Sequence, residues 1–235
     1  MSCHSCYNSP CQAKLSSFEG VDRGASKLLV YDAMRLSAME PTRLFVDAQS
    51  SDEWHEKGFY SLTKNFDANE SYNDSIMMHM LHDKKKNPDV IGSYRPESDE
   101  LICPKNKEEM GEYLEDKPNH GMPYGFPPIK NTEYETMVQW LAQGAKGPNQ
   151  KKQAQITTPS KNAAKEIQKY ESFFNTQDAK HSVTARYLYE HLFLAHWYFE
   201  SAPDEFFMMV RSKTPSPQPI DVILSVRPFD LNFGL

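Results

Sequence analysis

Basic charge in excess is what this sequence conspicuously lacks. Lys and Arg number 26 against 32 Asp and Glu, for a net charge of −6. Phosphate backbones are bound by cations that displace counterions, so this balance argues against a nucleic-acid partner. Long apolar runs are missing too. No segment approaches the roughly eighteen apolar residues that mark a spanning helix, and Met1 is followed by neither a basic nor an apolar stretch of the kind that directs export. Neither absence excludes a membrane surface. Cysteine is scarce, four in 235 residues, too few for a small domain stapled by many disulfides. Three of those four nevertheless stand within the first eleven positions.

That opening, Met1-Ser2-Cys3-His4-Ser5-Cys6-Tyr7-Asn8-Ser9-Pro10-Cys11, supports three chemistries. Cys3, Cys6 and Cys11 with His4 make a zinc set. Cys6 and Cys11, flanking a proline, make a short disulfide or a free structural pair, with Cys103 left as a lone buried thiol. Cys3-His4 is also the second half of a Cys-x-x-Cys-His haem attachment site, in which the cysteines form thioethers and the histidine takes the iron. The first cysteine of that motif would fall one residue before Met1. The haem reading therefore expects residues lost from the front, an export signal among them. An iron bound by His4 has an opposite axial position, and Met122, on the Pro-flanked stretch Asn119–Pro128, is the candidate sixth ligand.

Periodicity predicts a mainly helical chain. Helices are expected from Ser26 to Met39 with Ser26 as cap, over Asp52–Gly58, over Ser75–Lys86 stopping before Pro88, and over Asn106–Leu114. Another runs over Lys130–Gly144, capped by Asn131 or Thr132 and facing inward with Tyr134, Met137, Val138 and Leu141. Residues 146–160 read as a connecting stretch, 162–175 as helix, and Ser182–Glu200 as the longest apolar helix, ended by Pro203. Arg43–Asp47 is a short apolar run. Residues 87–104 read as a surface loop, and 206–210 is too short to assign. His79 and His82, one turn apart, read as a helix end in preference to a metal face. His191 and His196 point in different directions, which leaves hydrogen-bonded histidines as the default.

Cys3–Lys27 resembles the haem-motif segment of the bacterial fatty acid cis/trans isomerases. Glu40–Gln49, Gly121-Met-Pro-Tyr-Gly125, Ala185–His196 and Val210–Asp221 are similar to later blocks of that family, in the same order. The resemblance implies a front-portion fragment of a longer periplasmic protein of cytochrome c type. Its activity would turn cis double bonds of membrane phospholipid acyl chains to trans at a peripheral membrane surface, the haem c iron acting as electrophile, and the fragment alone would be inactive. It implies Cys3 as second thioether cysteine and His4 as proximal ligand, and assigns nothing to Met122, His191 or His196. The fold expected is mainly α: a cytochrome c-like helical domain over 1–147, a linker over 148–161, and the helical start of a second, truncated domain over 162–235. The competing readings are a haem c electron-transfer domain and a zinc-binding interaction module.

Overall fold

A computed structural model describes residues 4–5, 7–66, 72–88, 102–224 and 227–229. Among them the fold is mainly α, with eight helices and one two-stranded sheet. Two compact units divide the chain, residues 1–39 with 48–147, and residues 40–47 with 148–235.

The first unit holds α1 (Phe18–Arg23), α2 (Ser51–Glu56), α3 (Ile76–Lys86), α4 (Lys107–Asp116) and α5 (Asn131–Ala142). The second holds α6 (Gln150–Thr157), α7 (Lys161–Phe174), α8 (Ala179–Leu192), β1 (Trp197–Phe199) and β2 (Ala202–Phe207). Seven of the eight helices begin in the same way. Ser17, Ser50, Ser75, Asn106, Asn149, Ser160 and Asp178 each place a side-chain oxygen on the N–H three residues ahead, a contact worth about 1 kcal/mol where it replaces an unsatisfied donor. At α5 the Glu133 carboxylate reaches back instead and accepts from the Lys130 N–H at 2.9 Å, so neither Asn131 nor Thr132 is the cap. The α5 residues turned inward are those expected: Leu141 is buried, and Tyr134, Met137 and Val138 are half-buried.

Helices this short are marginal alone, so packing must hold them. In the first unit Ala13, Ala25, Leu62, Ile76, Met80, Met110 and Tyr113 form the core, with Leu15, Met77, Leu114 and Met122 against it. Gly24 makes one approach to it possible. Its φ is +85°, and a side chain there would collide with the Tyr60 carbonyl. With Gly24 in place, Ala25 and Tyr60 exchange backbone hydrogen bonds of 3.0 and 2.8 Å.

Three expected elements differ. No helix forms over 26–39. The Ser26 hydroxyl accepts from the Leu28 N–H at 3.2 Å, and the Arg35 guanidinium donates to the Leu29 and Val30 carbonyls. These local bonds take backbone groups that a helix would use. The apolar stripe is also unpacked, with Leu29 43% and Leu36 105% exposed. Residues 150–157, read as connection, are helical. That helix is capped by Asn149 and has no buried residue, so it carries no apolar period to detect. The helix expected to reach Glu200 stops at Leu192. Trp197, Tyr198 and Phe199, aromatic residues suited to a pleated surface, instead form β1 against β2, with Trp197 opposite Phe207 and Phe199 opposite Ala202.

The second unit packs ring on ring. Tyr170 of α7 stacks on Phe199 at 5.7 Å and meets Trp197 edge-on at 6.2 Å, and Phe199 lies 5.4 Å from Phe207. The hairpin is tied to the start of α7 by Ser160 N–H to Glu205 at 2.9 Å and by the Asn162 amide to the Ser201 carbonyl at 3.3 Å. Arg43 and Asp47 belong to this unit, their side chains 4% and 8% exposed. They form a bidentate pair at 2.7 and 2.9 Å, and the Arg43 guanidinium lies 4.2 Å over the Phe193 ring.

Candidate functional site

His4 sits half-buried just ahead of a short turn at Pro10–Gln12. Its Nδ1 is 2.8 Å from the Ala13 carbonyl, and its own carbonyl accepts from the Leu15 N–H at 2.8 Å. A carbonyl only accepts, so Nδ1 carries the hydrogen and Nε2 keeps its lone pair. This is the tautomer in which a metal-binding imidazole is held by its other nitrogen. Burial lowers the His4 pKa below 6.5, outweighing the bond to Ala13, which acts the other way. The ring is therefore neutral at pH 7.

The turn that presents Ala13 is held from behind. The Arg23 guanidinium, 3% exposed, donates through Nη2 to the Gln12 carbonyl and lies 4.8 Å from the Phe59 ring centre and 5.4 Å from that of Trp54. Burial pushes its pKa down to about 10, still a cation at neutral pH. The Gln12 side chain donates to the Leu28 carbonyl at 2.8 Å. A disulfide between Cys11 and Cys103, Cα atoms 5.6 Å apart, fixes the same turn to the chain ahead of α4.

The bond overturns two expectations at once. Cys103 is not a lone thiol, and Cys11 is paired across 92 residues and not with Cys6. It also removes Cys11 from the zinc set, because a disulfide sulfur is no thiolate ligand. Cys3 and Cys6 lie outside the described residues, as does most of the loop expected over 87–104.

Met122 follows Gly121 in a loop laid on α3. Its N–H donates to the Met80 carbonyl at 3.0 Å, and a side chain at Gly121 would collide with the Lys84 backbone. The Met122 side chain packs against the core cluster that contains Ala13. Thus one apolar cluster contains Ala13, whose carbonyl holds His4, and packs against Met122. Other histidines are engaged elsewhere. The His79 Nε2 is 2.8 Å from Asp74 and its ring stacks on Phe66, while His191 Nδ1 donates to the Tyr187 carbonyl at 2.8 Å on an exposed surface.

A second feature lies in the second unit. Between α7, α8, the hairpin and the chain after β2 lies a cavity of about 820 Å³, lined by Tyr170, Phe174, Tyr189, Trp197, Phe199, Phe207 and Met208–Val210 among others. The aromatic content of residues 187–199 was its only visible sign, and an ordinary core has the same content.

A family model described as fatty acid cis/trans isomerase matches residues 39–232. The chain belongs to the fatty acid cis/trans isomerase family. The match takes in Met122 and the whole lining of the cavity, and leaves out Cys3 and His4. No curated protein and no solved structure matches the chain. Membership in this isomerase family supports an enzyme that acts on fatty acid double bonds.

Proposed function

We propose that this chain takes part in turning cis double bonds of membrane phospholipid acyl chains to trans, at a c-type haem held by His4 in a cytochrome c-like unit. The observation that carries the reading is the family match over residues 39–232. The described residues fit such a group in three respects. His4 is neutral, its tautomer is set by Ala13, and its free Nε2 is the nitrogen that a metal takes. Cys3, the adjacent thioether candidate, lies outside the described residues. Met122, packed on the cluster next to Ala13, is the proposed sixth ligand.

What a c-type haem supplies when bound is an electrophilic iron that draws density from the alkene π bond, so that the chain can turn about it. The protein's part is positional. Ala13 orients the His4 ring, Arg23 and the Cys11–Cys103 bond hold the turn behind it, and Met80, Met110 and Tyr113 keep water from the cluster. No electron is gained or lost between cis and trans, so no reductant is consumed. The disulfide supports a periplasmic setting, since such bonds persist in oxidising compartments. Among the described residues no helix is long and apolar enough to cross a membrane, and the proposed access to lipid is from the surface.

The test is expression with the cytochrome c maturation machinery, behind an export signal and one added cysteine ahead of Met1, followed by a pyridine haemochrome assay. A c-type spectrum that His4→Ala abolishes, with trans acyl chains detected by gas chromatography, is expected. A colourless protein overturns the haem reading. Met122→Ala should lower the haem midpoint potential if the thioether ligates.

A further inference from the structure

We infer that the cavity of the second unit is the acyl-chain site, holding one unsaturated chain along its aromatic walls. The inference rests on the isomerase reading above, and the tests below separate the two. At about 820 Å³ the space falls in the range of roughly 300–1,000 Å³ that encloses small-molecule ligands. Tyr170, Phe174, Phe199 and Phe207 present hydrocarbon edges and faces, and Met208 and Met209 add flexible thioether chains that adapt to a bent ligand.

Arg186, Arg211 and Lys213 also line the cavity, Arg186 paired with Glu190 at 2.7 Å and Lys213 with Asp221 at 3.5 Å. A mainly apolar lining that also carries polar and charged groups matches an amphiphile that ends in a carboxylate or an ester, and fits a uniformly apolar or uniformly charged ligand poorly. Trp197 adds a second indication. Its indole nitrogen is buried without a hydrogen-bond partner, and an indole N–H is a donor only. A buried donor left unmade is costly, and the oxygen of an acyl head group is the kind of acceptor it lacks.

The measurement is a titration of the full 235-residue chain with cis-9-hexadecenoate below its micelle concentration, following tryptophan fluorescence. A saturable change is expected, near one ligand per chain, and Trp197→Phe should abolish it. Affinity measured in parallel by equilibrium dialysis should fall several-fold in Trp197→Phe, the loss of one hydrogen bond. It should fall tenfold or more in Ala185→Phe and Val210→Phe, which fill the cavity, with circular dichroism confirming that both fold. A second arm offers vesicles of palmitoyl-oleoyl phosphatidylcholine. Uptake from either source supports the site, and the two arms tell a free acid from a phospholipid ester.

Binding that both filled variants leave unchanged overturns the inference, as does absence of binding. Trans product formed by haem-loaded Ala185→Phe with an unaltered KM also overturns it, while leaving the isomerase reading intact. Cavity-sensitive binding without any trans product does the reverse.

Discussion

The first unit closes around sulfur and small side chains, the second around rings. In the first, Met80 and Met110 share a cluster with Ala13 and Ala25, and a disulfide links residues 11 and 103. In the second, Tyr170, Phe174, Trp197, Phe199 and Phe207 contact one another and leave about 820 Å³ between them. Flexible thioethers adapt to the space around them, whereas rings meet at preferred angles. A dense unit suits holding a side chain such as His4 in one orientation. An open one suits receiving a ligand.

The contrast can be broken most forcefully at the cross-link. Cys11→Ser frees a loop of 92 residues, and loop-closure entropy of that size corresponds to about 4.6 kcal/mol. Urea unfolding should show the loss in the first unit alone, and an equal loss in both would end the distinction. In the second unit Asp47→Ala removes the bidentate carboxylate from the buried Arg43 guanidinium, which keeps Tyr189 and the Phe193 ring beside it, at a cost of about 3 kcal/mol. Asp47→Asn, which keeps one acceptor, should lose less. Met110→Ala, at a site 1% exposed, should cost the first unit about 3 kcal/mol. Tyr170→Leu on the cavity wall should cost the second unit only about 1–2 kcal/mol, because part of the space is already open.

Acid sharpens the same comparison. The His4 pKa is lowered by burial, so as pH falls below 6.5 the unfolded chain takes up the proton first. Stability from this group is complete above that value and declines as pH drops toward the folded pKa. His4→Gln should flatten the slope for the first unit and leave the second unaffected. The smallest effect is expected at Asp74, whose carboxylate is held below its usual range by His79 and then by Lys107. Its contribution is present above the unfolded carboxylate pKa and fades as pH falls. Asp74→Asn should cost no more than about 0.5–1 kcal/mol at neutral pH, because the site is solvated.

What the sequence discloses follows the range of the interaction. Caps and stops act over three or four residues, and Ser75, Asn106 and Gly144 mark helix ends that the structure contains. The Ser26–Met39 stretch shows the limit. Its apolar spacing is helical, but a stripe makes a helix only where something covers it, and Leu36 is fully exposed. Over Arg43–Asp47 the eye is drawn to Leu44, Phe45 and Val46, yet Phe45 is 57% exposed and the two charged ends are buried together. The partner of Cys11 lies 92 residues on and beyond any local pattern. His4 is a candidate by its neighbour Cys3, while the carbonyl that orients its ring leaves no mark in the sequence, because Ala13 bears no functional group of its own. The cavity depends on a hairpin that a helical reading of residues 193–200 conceals.

The bond between Cys11 and Cys103 also changes what a broken chain means. Every peptide bond from residue 11 to residue 103 lies inside a covalent ring. A protease that cuts there once opens the ring without releasing either piece, and the segment bearing His4 stays attached to α4 and α5. Such a nicked molecule would migrate as one chain until a thiol is added and as two afterwards, so in an oxidising compartment the first unit can survive a cut that would sever an uncrosslinked one.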